Sequence, residues 1–128
     1  LPEPFAAVNV PGKGGDIPVL AFRQGHGRIH SLGFRFGPIA YSSDVNTLDE
    51  DAFAALDGVK LWIVDALRHD PHPTHANVKT VLEWIARVKP ERAVLTKLHI
   101  DLYYETLKRE LPDGVEPAYD GMRIELPI

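Results

Sequence analysis

Imidazoles and carboxylates placed where apolar runs end are the groups with which this chain could do chemistry. The segment His69-Asp-Pro-His72-Pro-Thr-His75 gathers three imidazoles and a carboxylate within seven residues. Such donors suit a borderline divalent cation. Pro71 and Pro73 stiffen the segment, however, and nothing in its spacing makes the rings converge, so a solvated surface loop is the competing reading. His26 lies between Gly25 and Gly27, which gives it backbone freedom to point inward. His30 reads as a surface residue, and His99 is a further candidate ligand. Asp44 follows the apolar run Ile39–Ser43, Asp65 follows Leu61–Val64, and Thr96 follows Ala93–Leu95. If those runs are parallel strands, their carboxyl ends share one edge, where open α/β sheets place ligands. Helix capping and turn formation are the alternative. Capping accounts less well for Asp44, because Val45 and Asn46 intervene before the next helix.

Several chemistries are excluded. No Gly-x-Ser-x-Gly marks a nucleophile elbow, and Gly12–Gly15 runs into a strand without the Lys-Ser/Thr ending of a phosphate loop. The absence of cysteine removes disulfides, thiolate metal sites and cysteine nucleophiles, and accords with a cytoplasmic location. A formal charge of −4 argues against duplex nucleic acid as partner. No apolar run is long enough to span a membrane, and no signal peptide is evident. The opening Leu-Pro-Glu-Pro, with no initiator Met, reads as a cut piece of something longer.

The elements that must position these residues follow from periodicity. The chain has 128 residues, 45% of them apolar, enough for one core, so residues 1–128 are expected to form a single domain with 1–16 as a partly irregular lead-in. Strands are predicted at Phe5–Val10, Ile17–Arg23, Ser31–Phe36 and Ile39–Ser43, an antiparallel meander. Thr47-Leu-Asp-Glu50 fits a capping box ahead of a short helix to Leu56. Leu61–Val64 and Ala93–Leu95 read as buried strands. Between them, Val78, Val81, Leu82, Ile85 and Val88 keep helical spacing in a helix that Thr74 could cap. Asp101 could cap a helix from Leu102 to Glu110. Val115–Ala118 and Met122–Leu126 flank a turn and predict a closing strand pair. Trp62 and Trp84 sit at core spacing. The fold class is α/β, a mixed β-sheet with helices on one face.

Six segments carry a resemblance in their order along the chain: Phe22-Arg-Gln-Gly-His26-Gly, Ala40-Tyr-Ser-Ser-Asp44-Val-Asn, Val64-Asp-Ala-Leu-Arg68, Pro71-His-Pro-Thr-His75-Ala, Leu95-Thr-Lys97-Leu-His99-Ile-Asp101 and Ala118-Tyr-Asp-Gly-Met122. Together they resemble the C-terminal half of metallo-β-lactamase-fold hydrolases, closest to the phosphoribosyl cyclic phosphodiesterase-like group. The resemblance implies half of an αββα sandwich and a divalent metal, zinc or manganese, in the full site. It implies that His26 ligates one metal, that Asp44 bridges two, and that His75 protonates the leaving group of a phosphodiester. It also exposes two departures. The family's N-terminal His-x-His-x-Asp-His has no counterpart, and Lys97 stands where the family has a ligand histidine. A protonated lysine offers no lone pair to a metal. A surface lysine in a chain that no longer binds metal is the favoured reading of Lys97. The alternative sets its ammonium beside Asp44 in partial replacement of the metal charge. Tyr103 stands where relatives often carry an acid.

The expected function is therefore metal-dependent hydrolysis of small phosphodiester-type substrates by an incomplete half, weakly active or inactive alone. A half of a sandwich leaves one apolar sheet face to be covered by a complementary N-terminal half or by a second copy. The alternative is a non-enzymatic, self-associating scaffold that kept the fold and lost the metal site. A third possibility is metal capture by the His69–His75 loop alone.

Overall fold

The computed structural model describes residues 7–66, 77–97 and 104–126. Strands β1 (Ala7–Val10), β2 (Ile17–His26), β3 (Ile29–Phe36) and β4 (Ile39–Ser42) follow one another as an antiparallel meander. Gly27 and Gly37 adopt the left-handed backbone that the two tight turns need (φ 64° and 61°). Three parallel strands then extend the sheet: β5 (Leu61–Asp65), β6 (Arg92–Thr96) and β7 (Val115–Pro117). Parallel neighbours need crossovers, supplied by helices α1 (Glu50–Leu56), α2 (Val78–Val88) and α3 (Tyr104–Glu110). Strand order equals chain order, so successive right-handed crossovers lay all three helices on the same face.

Register shows which face that is. Ala40, Trp62, Ala93 and Val115 form one cross-strand row, and Val64 and Leu95 belong to the next. All are buried, in a core completed by Leu56 from α1, Val81 and Ile85 from α2 and Leu107 from α3. The indole Nε1 of Trp62 donates to Ser42 Oγ at 3.0 Å, so its polar atom is satisfied inside the core. Trp84 packs against the same cluster, partly buried. The mixed sheet with helices on one face agrees with the sequence expectation.

Boundaries differ in instructive ways. The loop expected over residues 24–28 tightens to Gly27-Arg28, because β2 continues to His26, which pairs with Ile29. Helix α1 is capped by Asp49, whose side chain accepts from the Ala52 N–H, and not by Thr47. Thr47 is held instead by a bridge to Gly25. Asn77 caps α2; Thr74 and Asp101, the caps expected from sequence, lie outside the described residues. No strand forms at 122–126. The turn ahead of it does close, with the Met122 N–H donating to Tyr119 O at 3.0 Å. β7 pairs in parallel with β6 and has no antiparallel partner among the described residues, so the expected closing pair is replaced there by a single edge strand.

Candidate functional site at the carboxyl edge of the parallel strands

Because Ser42, Val64 and Leu95 stand side by side in register, β4, β5 and β6 deliver their next residues to one edge. Those residues are Ser43-Asp44, Asp65 and Thr96-Lys97. Asp44 and Lys97 both take left-handed backbone there (φ 53° and 54°), which is uncommon for non-glycine residues. Asp65 is fully buried. Its Oδ2 accepts the Asp44 N–H at 2.5 Å and its Oδ1 accepts the Thr96 hydroxyl at 3.0 Å. Asp65 thus fixes the turn that presents Asp44. The Lys97 ammonium donates to Asp44 Oδ1 and to Ser43 Oγ, each at 2.8 Å, and stands 3.6 Å from Asp65 Oδ2. Its hydrogen bond to Asp44 holds Lys97 above the usual lysine range, with desolvation pulling the other way and Asp65 adding to the rise. Lys97 remains at the surface, as the sequence favoured, and its contact with Asp44 is the one the sequence alternative described. A cleft of about 350 Å³, lined by Leu95, Thr96, Lys97, Ala118, Tyr119 and Asp120, opens beside it.

A second layer supports the edge. Buried Gln24 donates from Nε2 to Ser31 Oγ at 3.1 Å and to Ser43 O at 3.0 Å. The Ser31 hydroxyl in turn donates to Asp44 O at 2.8 Å. The loop after Asp44 is laced to β2: Gly25 N–H donates to Thr47 O at 2.9 Å, and Asn46 N–H donates to Gly25 O at 2.7 Å. A Cβ on Gly25 would lie 2.0 Å from Thr47 Oγ1, so the approach calls for glycine. β2 runs in the same direction as β4, two antiparallel steps away, so half-buried His26 leaves its strand at the same end of the sheet as Asp44. Of the sites read from sequence, His26, Asp44, Asp65, Thr96 and Lys97 share this end. His75, with His69, His72, His99 and Tyr103, lies outside the described residues. Sequence reasoning missed Gln24, Ser31 and Ser43. Gln24 was detectable: it continues the inward phase of Leu20 and Phe22, where an amide must find buried partners.

The zinc or manganese centre implied by the resemblance does not fit the donors described. Among those residues, no group of three or more His, Cys, Asp or Glu comes together. Both Asp65 oxygens accept protein hydrogen bonds, and Asp44 Oδ1 faces an ammonium.

A meander continued by parallel strands, with carboxylates gathered at their carboxyl edge and helices on one face, defines a mixed α/β half-layer. The chain belongs to the beta-lactamase superfamily domain family, matched over residues 3–100. It is similar to a diphosphatase of the PhnP family, with 29% identity and a TM-score of 0.89, over 97% of this chain and 47% of that one. It is also similar to the short form of human tRNase Z, with 25% identity and a TM-score of 0.69, over 88% of this chain and 43% of that one. A curated octanoyltransferase of Porphyromonas gingivalis is 27% identical over 117 residues, 89% of this chain and 24% of that protein. The chain thus spans just under half of those solved chains and about a quarter of the curated relative, coverage that fits a half domain.

Proposed function

We propose that this chain is half of a hydrolase domain for small phosphodiester-type substrates, incomplete as a catalytic centre by itself. One observation carries the proposal: Asp44, Asp65 and Lys97 converge at the carboxyl edge of the parallel strands, the end to which β2 brings His26. Similarity to a diphosphatase and to a tRNase Z, both named for phosphate-ester or phosphoanhydride chemistry, supports the substrate class. In this proposal Asp65 holds Asp44 in place, Lys97 balances the carboxylate charge, and His75 gives a proton to the leaving oxygen. The remaining ligands of a zinc or manganese centre would come from a complementary N-terminal half, and the cytoplasm is the compartment proposed for the assembly. The test is release of p-nitrophenolate from bis(p-nitrophenyl) phosphate, measured both in chelator and with zinc or manganese supplied. Slow release above the protein-free blank is expected, falling to the blank in Asp44→Ala and in His75→Ala. Release that survives Asp44→Ala unchanged would sink the assignment to this edge.

A second reading is a non-enzymatic scaffold, and the Lys97 ammonium on Asp44, where a ligand histidine is expected, is the observation that favours it. It predicts release no faster than the blank for the unmodified protein under every metal supplied.

A further inference from the structure

We propose that Lys97 is the resident cation of this edge, its ammonium holding the Asp44 and Asp65 carboxylates together in place of a divalent ion. Asp65 has no exposed surface, and a buried carboxylate needs both hydrogen bonds and opposite charge nearby. Asp44 N–H and Thr96 hydroxyl supply the hydrogen bonds, and Lys97 Nζ at 3.6 Å is the cation. The same ammonium meets Asp44 Oδ1 and Ser43 Oγ at 2.8 Å, so one lysine at the end of β6 bonds the end of β4 and stands against the end of β5. A metal ion between the same carboxylates would make those links.

Backbone geometry points the same way. Left-handed φ is costly for a lysine and for an aspartate, and it occurs at both partners of this pair. The two turns aim the two side chains at each other. The Lys97–Asp44 pair alone would stabilise little, since the two side chains are 44% and 50% exposed and screened by water. Buried Asp65 is what gives the ammonium its consequence. Two carboxylates and one ammonium leave the edge one negative charge, and removing the ammonium leaves two, which is where a divalent cation gains its hold.

The inference bears on the same edge as the hydrolase reading but is read by stability and ion content, so either can fail while the other stands. The experiment is thermal unfolding of the protein, of Lys97→Ala and of Lys97→Arg, in chelator and in millimolar manganese. Lys97→Ala in chelator should melt roughly 3–6 °C lower than the unmodified protein. Manganese should restore at least half of that loss, because a ligand bound only to the folded state raises its stability. The unmodified protein and Lys97→Arg should shift by less than about 1 °C with manganese. Adding Asp44→Asn to Lys97→Ala should abolish the rescue. The inference is overturned if Lys97→Ala melts with the unmodified protein, if manganese fails to rescue it, or if manganese stabilises the unmodified protein equally. Should Lys97→Ala not fold, metal content decides. The unmodified protein dialysed against manganese should retain no ion that Asp44→Asn removes, and a stoichiometric ion lost in Asp44→Asn overturns the proposal.

Discussion

Gly33 sits directly under the layer that supports the candidate site. A Cβ there would lie 2.4 Å from Phe22 Cζ and 2.5 Å from Gln24 Oε1, and both neighbours are buried with nowhere to retreat. Gly33→Ala should therefore destabilise the fold by about 1–3 kcal/mol, the usual cost of overpacking a core. Gly14→Ala, where a Cβ would meet nothing within 4 Å, is the control and should stay within about 0.5 kcal/mol. Urea midpoints of the two variants check this, and equal shifts would refute the packing argument. At this scale the sequence was informative where a polar residue ends an apolar run, as at Asp44, Asp65 and Thr96, while Lys97 was singled out by the resemblance. It raised the Asp44–Lys97 contact only as the alternative to a surface lysine, since that contact joins residues that depend on parallel β4, β5 and β6 being in register. Ser31 illustrates the limit: nothing local distinguishes a serine that holds the Asp44 carbonyl from one that faces water.

Helix α2 carries its own start signal in Asn77, whose Oδ1 accepts the Thr80 N–H at 2.8 Å. Asn77→Ala should cost about 1 kcal/mol and Asn77→Asp should cost less, because aspartate caps equally well. Thermal melts of the pair separate capping from a general intolerance of change, which would lower both alike. The helical spacing of α2 was legible because five apolar residues recur on one face, and no tertiary contact is needed to see it. Caps were less so. The box from Thr47 to Glu50 satisfies local capping rules, yet Thr47 is drawn away by a bridge to Gly25, a partner 22 residues back. Asp49 then takes the cap. The segment 122–126 fails as a strand for a related reason. Alternation marks a face, and Met122, Ile124 and Leu126 are indeed the less exposed residues, but a strand also needs a hydrogen-bonding neighbour. β7 uses its described pairing on β6, and residues 122–126 do not return antiparallel to it.

At the scale of the molecule, the direction of the crossovers has a cost on the other side of the sheet. Ala21, Phe34, Tyr41, Ile63 and Val94 form a continuous cross-strand row on the face opposite the core, and no described helix covers it. Phe34, Tyr41 and Ile63 are only half-buried there. Flanking apolar residues Leu32, Phe36 and Ile39 widen the patch. Contiguous apolar surface of this kind is rare on a lone soluble domain, and two sheets packed face to face are its usual cover. The occupant we propose is a complementary half, or a second copy of this chain when that half is absent. Light scattering across a concentration series should therefore find a species heavier than one chain. Phe34→Lys puts a charge at the centre of the row, beside Tyr41 on the neighbouring strand, and should move the distribution toward single chains without unfolding them. A single-chain mass for the unmodified protein at the highest concentration would refute self-association outright. A heavier species indifferent to Phe34→Lys would move the contact away from this face. The first result would leave a half-layer that stands on its helices alone, and the second would direct attention to the exposed edge strand β1, whose outer backbone groups have no partner among the described strands.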